Sequence, residues 1–237
     1  MKSSDNVIEV GSNIGLHSVP IAQKINHGKL FCFEPQRLIF QTLVANIVAN
    51  GLSNVFACHA GVGEVNELRQ IDASDYDTPW NYGSFSLEAG FDGEGQFEGN
   101  KYKEWVQIVS LDTQPALAEL DGLRLLKIDA EGFEINVLNG AKNLIKKHRP
   151  IIFVEALPHL KDDLIVYLNQ IGYRCFWFIS DRYQENNFFN RPRGSDGLDF
   201  NLVCYHQDDT PHFNDKWLAK PYINQNLESL QIHYVQD

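Results

Sequence analysis

Short apolar runs alternate with longer helical patterns along most of this chain. The runs are Val7 to Val10, Leu30 to Phe33, Val55 to Cys58, Leu123 to Ile128 and Ile151 to Val154, each of the kind that strands buried on both faces show. Gln36 to Asn50 carries Ile39, Leu43 and Ile47 at steps of four and stops at Gly51. Glu134 to His148 repeats the pattern before Arg149-Pro150, and His159 to Ile171 repeats it before Gly172. Such alternation predicts an α/β fold, a parallel sheet with helices on both faces. Tyr173 to Ile179 and Phe200 to Tyr205 are joined by a polar loop instead, which predicts an antiparallel pair at one sheet edge.

At 237 residues the chain reads as one domain, 1–237, able to bury a core without disulfides or metal. Cys32, Cys58, Cys175 and Cys204 each sit inside apolar runs without a CxxC pair, as buried free thiols do. No run approaches the roughly 20 apolar residues of a membrane span, and the first ten residues lack the apolar core of a signal peptide. A cytoplasmic protein is expected. Twenty Lys and Arg against 31 Asp and Glu leave a net charge of −11, which disfavours nucleic acid as a partner.

Residues 72–104 break the rhythm. They hold five glycines, eight acids against two lysines, and seven aromatics: Tyr76, Trp80, Tyr82, Phe85, Phe91, Phe97 and Tyr102. With no helical period, the segment reads as a structureless insertion acting as a lid, because disordered linkers are poor in aromatics. Its aromatic faces and carboxylates suit a sugar; equally, the aromatics can simply pack the insertion onto the domain.

Ionisable groups collect where the parallel strands end: Glu9, Glu34, His59, Asp129 with Glu131, and Glu155. Open α/β sheets bind ligands beyond these strand ends. Glu9-Val-Gly11-Ser-Asn13-Ile-Gly15 lies between a strand and a helix, where glycines permit a tight turn and free N–H groups face a ligand. Asn13 stands where the dinucleotide fingerprint requires glycine, which argues against NAD or FAD. Glu9 is placed to meet a cationic amino group, and Glu34 to accept two ribose hydroxyls. A ligand with a ribose and an amino-acid end fits S-adenosylmethionine.

A second motif, Lys127-Ile-Asp129-Ala-Glu131-Gly-Phe-Glu134, sets two carboxylates two residues apart where a buried strand turns into a helix. Such a pair can act as general base, hold substrate hydroxyls or bind a hard divalent cation, with Asp129, Glu131 and Glu155 as candidate metal ligands. Glu134 has the simpler role of an acid in a helix's first turn.

VIEVGSNIG (7–15), FEP (33–35), VSLDT (109–113), LLKIDAEGFEINVLNGA (125–141) and IIFVE (151–155), in this order, resemble the FkbM family of S-adenosylmethionine-dependent methyltransferases over residues 5–160. The resemblance implies a class I methyltransferase (Rossmann-like), doubly wound, mostly parallel seven-stranded sheet with an antiparallel edge hairpin. It also implies methyl transfer, usually to a hydroxyl of a sugar or secondary metabolite. Glu9, Gly11, Ser12, Asn13 and Gly15 would then line the cofactor's amino-acid end, Glu34 its ribose, and His59 with Ala60 its adenine. Asp129 and Glu131 would face the methyl as catalytic acids. His59 and His17 are alternative bases. Pro20 falls inside the first helix and is expected to kink it. The chain starts at the first strand, so a leading substrate-binding element is expected to be absent or replaced by the insertion.

The expected partner is a small-molecule or glycan acceptor. The loop at 181–198, with Arg182, Arg191 and Arg193, can meet an acceptor's anionic group, and the tail at 207–237 can wrap the domain or a neighbour. Two rival functions are an NAD-dependent oxidoreductase and a catalytically inactive cofactor-binding protein.

Overall fold

The computed structural model describes residues 1–92, 95–157, 161–181, 185–190, 192 and 198–209. The chain divides into two compact units, Met1–Ile151 and the part from Ile152 onward. Arg182, Arg191, Arg193, His159 and the tail beyond residue 209 lie outside the described residues.

The first unit runs β1 (Val7–Val10), α1 (Ser18–Lys24), β2 (Leu30–Phe33), α2 (Arg37–Ala49), β3 (Val55–Cys58), β4 (Gly61–Val62), β5 (Glu67–Ala73), β6 (Tyr102–Val109), α3 (Pro115–Ala118), β7 (Leu125–Ile128), α4 (Glu134–Asn139) and α5 (Lys142–His148). β8 (Ile151–Glu155) comes next, and the second unit continues with α6 (Lys161–Gln170), β9 (Tyr173–Asp181) and β10 (Leu198–His206). The main sheet has seven strands in the order β3-β2-β1-β7-β8-β10-β9. β1 pairs in parallel with β2 and β7, and β2 with β3. β10 pairs antiparallel with β8 and β9, the edge hairpin that the polar loop predicted.

All residues of β1 and β2 are buried, as continuous apolar runs require. Alternation along the strands sends Val7, Leu30 and Cys32 to one face, where they meet Ala22 of α1, Ile25 just after it, and Leu43 and Ile47 of α2. Glu9, two residues after Val7, shares that face.

Three expectations differ from the structure. Pro20 stands in the first turn of α1, which begins at Ser18, and not in the helix interior, and proline is tolerated there. The pattern at Glu134 to His148 is two helices, broken at Gly140 and Ala141. A Cβ on Gly140 would stand 2.0 Å from the Gly63 carbonyl oxygen, and the Gly140 carbonyl accepts bonds from the Asp112 N–H and the Ser110 hydroxyl. That carbonyl serves the neighbouring segment instead of a continuous helix.

The third difference is the insertion. Its ends are strands: β5 and β6 pair antiparallel from Glu67↔Ile108 to Ala73↔Tyr102, and with β4 they form a separate three-stranded sheet. Between them, Phe85, Phe91 and Phe97 pack with Ile71, Val106 and Ile108 into a core of their own. The rings meet edge-on or tilted, with Phe85 and Phe91 centroids 5.1 Å apart and Phe91 and Phe97 4.9 Å apart, as aromatic quadrupoles favour. Packing therefore accounts for these aromatics. Phe91 is 1% exposed, so Phe91→Ala is expected to cost ~3–5 kcal/mol. That corresponds to a melting temperature lower by roughly 10 °C, read by thermal denaturation.

Cys32, Cys175 and Cys204 are buried free thiols, and Cys58 is half-buried. Among the described residues, no helix is long and apolar enough to cross a membrane.

Candidate functional site

A cleft of about 570 Å3, the open space at its mouth included, lies at the carboxyl ends of β1, β2, β3 and β7. β1 contributes Val10, Gly11 and Asn13; β2 contributes Phe33, Glu34, Pro35 and Gln36. Ala60, Gly61 and Val62 come after β3, Asp129 and Ala130 after β7, and the insertion adds Gly83, Phe85 and Leu87. In the strand order, β1 stands between β2 and β7, where an α/β sheet reverses direction and opens a crevice.

The glycine turn is shaped by close approach. Gly11 has φ +74, and a Cβ there would stand 1.8 Å from the Asp129 carbonyl oxygen. The N–H groups of Gly11 and Ser12 donate to the Phe33 carbonyl, and that of Asp129 to Val10. The loops after β1, β2 and β7 are thus tied together. Asn13 takes a left-handed φ of 48 and donates its N–H to Glu34 Oε2 at 2.9 Å. The Gln36 N–H donates to the other oxygen, Oε1, at 2.9 Å.

Glu34 is 3% exposed yet lines the cleft. Burial, with a smaller push from the Asp129 charge, raises its carboxyl to about 7 against the two N–H bonds that favour the anion. A pKa raised on folding means that the stability it confers is complete below the ordinary value near 4.5 and is lost as pH rises through about 7. The ligand-free protein is therefore expected to lose up to ~3 kcal/mol between pH 5 and 8.5 that Glu34→Gln does not lose. Denaturant titration of both proteins at the two pH values reads this; equal pH dependence would contradict it.

The acidic motif is organised around Lys127. This lysine is 5% exposed, with its ammonium 3.2 Å from Asp129 Oδ2 and 3.5 Å from Glu9 Oε1. Burial pulls the ammonium down, but the charges of Asp129 and Glu9 prevail and raise its pKa. Glu131 and Gly132 both take positive φ, 49 and 97. Glu134 holds that turn, its Oε1 accepting the N–H groups of Ala130 and Gly132 at 3.2 and 3.0 Å. The expected first-turn acid is thus also a clamp on the acidic loop.

The structure gathers Gly11, Asn13, Glu34, Ala60 and Asp129 around the cleft and leaves other candidates outside its lining. Glu9 was expected to meet a ligand's amino group, but it is fully buried. Its Oε2 takes the Ser18 hydroxyl, its Oε1 faces Lys127, and strand alternation turns it toward α1. Ser12 is buried, its hydroxyl on the Glu9 carbonyl. Gly15 packs on α2, where a Cβ would stand 2.9 Å from Leu43 Cδ1. His59 is exposed, its Nε2 3.0 Å from the Pro35 carbonyl oxygen and its ring stacked on Phe40. Glu131 is half-buried and not in the lining, and Glu155 closes β8.

Sequence reasoning did not single out Gln36, Lys127, Gly83 or Leu87, and named Phe85 only among the insertion's aromatics. Lys127 had a legible signal, a lone lysine inside the buried run Leu125 to Ile128. The insertion's residues had none, since their place depends on long-range packing.

Comparison with known proteins bears on the family and the fold. The model of the methyltransferase FkbM domain family matches residues 9–175. The methyltransferase FkbM from Methylobacillus flagellatus KT is similar in structure, with 19% identity over 86% of this chain and 44% of that one, at a TM-score of 0.55. The chain thus spans less than half the length of that protein. A precorrin-6y C5,15-methyltransferase from Geobacter metallireducens GS-15 shares 8% identity over 86% of this chain and 82% of its own, at a TM-score of 0.50. Likeness at such identities concerns the fold alone. No curated protein matches the sequence.

Proposed function

Since the chain belongs to the FkbM methyltransferase family, we propose that it transfers a methyl group from S-adenosylmethionine to a hydroxyl of a sugar, glycan or small metabolite. The observation that carries this reading is the buried Glu34 carboxylate, held at the cleft by the N–H groups of Asn13 and Gln36. Each of its oxygens keeps a free lone pair for a ribose hydroxyl. The glycine turn supports the same fit, because Gly11 carries no side chain into the space between the β1 and β7 loops. Asn13, at the position where a dinucleotide's pyrophosphate needs glycine, disfavours the oxidoreductase.

When bound, S-adenosylmethionine supplies a methyl group activated by a sulfonium. The chain's own part is to align an acceptor hydroxyl behind that methyl and take up its proton. Asp129 is the proposed base, with Glu131 as second candidate. Asp129 lines the cleft, keeps its side chain 37% exposed, and is oriented through Oδ2 by Lys127. The proposed role of Glu9 becomes that of a buried partner for Lys127. The lysine also brings positive charge to Asp129, so no divalent metal enters the proposal. With Phe91 and Phe97 buried in the insertion's own core, support for a hydroxyl acceptor rests on these carboxylates.

A methyl-transfer screen with labelled S-adenosylmethionine across sugars, glycolipids and small hydroxylated metabolites, with and without Mg2+, tests the reading. Transfer to a hydroxyl without added Mg2+ is the expected result. Cofactor binding with no transfer across the panel would favour the inactive binding protein instead.

A further inference from the structure

The geometry points to Gln36 as a positioning residue that holds the inserted segment as a wall of the cleft and so sets the fit of the cofactor's nucleoside half. The inference rests on the cleft being the cofactor site. Gln36 is 5% exposed and makes three directed bonds. Its backbone N–H donates to Glu34 Oε1 at 2.9 Å, its Nε2 donates to the Tyr82 carbonyl at 2.9 Å, and its Oε1 accepts the Tyr76 hydroxyl at 3.0 Å. The Tyr82 carbonyl can only accept, which fixes the amide's orientation and leaves Oε1 for the tyrosine hydroxyl. One residue thus joins the acid proposed to hold the ribose to both ends of the Tyr76–Tyr82 segment, whose two rings are tilted against each other with centroids 4.2 Å apart.

The wall itself begins directly after Tyr82 in the chain. Gly83, Phe85 and Leu87 line the cleft. A Cβ on Gly83 would come 2.6 Å from the Asn13 side-chain amide, and one on Gly61 would come 3.1 Å from Leu87 Cδ1. The wall therefore closes on the Glu34 side, leaving apolar faces of Phe85 and Leu87 where a flat base can sit. Tyr76 holds a left-handed φ of 62, a conformation a tyrosine keeps only when its surroundings fix it. Its bond to Gln36 is one such restraint.

Isothermal titration with S-adenosylhomocysteine and with 5′-methylthioadenosine, the nucleoside half alone, tests this on the wild type, Gln36→Leu, Gln36→Glu, Tyr76→Phe and Gln36→Leu combined with Tyr76→Phe. Gln36→Leu should weaken both ligands about tenfold and to the same degree, because it strands the part-buried Tyr82 carbonyl and frees the segment that carries the wall. Gln36→Glu keeps the shape but turns an oxygen on that carbonyl, so it should weaken binding at least as much. Tyr76→Phe should weaken binding about threefold, and adding it to Gln36→Leu should cost nothing further. Variants that melt lower yet bind both ligands within twofold of wild type would overturn the inference, as would additive losses. Should Gln36→Leu fail to fold, unchanged binding by Tyr76→Phe overturns it alone. A wild-type chain that binds neither ligand overturns the cofactor site itself, and with it this inference.

Discussion

Asp129→Asn is expected to lower methyl transfer by about 10²–10⁴-fold at saturating cofactor, the range that loss of a positioned general base produces. The substitution keeps the shape of the side chain and removes its charge. Lys127 retains Glu9 as a partner, so the protein should fold and bind S-adenosylhomocysteine within about tenfold of wild type. Glu131→Gln separates the two candidates. If Asp129 is the base, Glu131→Gln should lose far less activity, because Glu131 does not line the cleft. Activity near wild type in both variants would remove general-base catalysis by these acids from the account.

Gly11→Ala should have a large structural effect for a single added methyl. The new Cβ would stand 1.8 Å from the Asp129 carbonyl oxygen, which is backbone and cannot swing aside, at a φ of +74 that L residues avoid. The β1 and β7 loops must separate or the turn must rebuild. A loss of ~3 kcal/mol or more is expected, a melting temperature lower by roughly 10 °C, with ligand binding at the cleft abolished. Gly51→Ala is the control. Its φ is +64, but nothing lies within 4 Å of the added Cβ, so it should cost only ~1–2 kcal/mol and leave binding intact. Similar effects from both would mean that backbone strain alone, without the loop contact, explains Gly11.

The sheet was legible because its strands are continuous apolar runs, and period and length suffice to find those. Glu34 and Asp129 were legible as well, since a carboxylate at the end of a buried strand is conspicuous against apolar neighbours. Glu9 was misplaced for a reason also present in the sequence. Two residues from Val7 on one strand, it must share the face that α1 and α2 cover, and position in a motif outweighed that alternation. Pro20 misled because no capping residue marks the helix start at Ser18. The insertion was the least legible part. β5 is largely polar, with only two of its seven residues buried, so no apolar run announces it, and its pairing with β6 spans the long segment whose aromatics build the separate core. Gln36 shows the same limit: its partners Tyr76 and Tyr82 are 40 and 46 residues away.

Isothermal titration of the wild-type chain and of Glu34→Ala with S-adenosylhomocysteine, alongside NADH, tests the central claim most directly. The account predicts one S-adenosylhomocysteine per chain at about micromolar affinity, weakened tenfold or more in Glu34→Ala, and no saturable NADH binding. Saturable NADH binding without S-adenosylhomocysteine, or S-adenosylhomocysteine binding unchanged in Glu34→Ala, would contradict it.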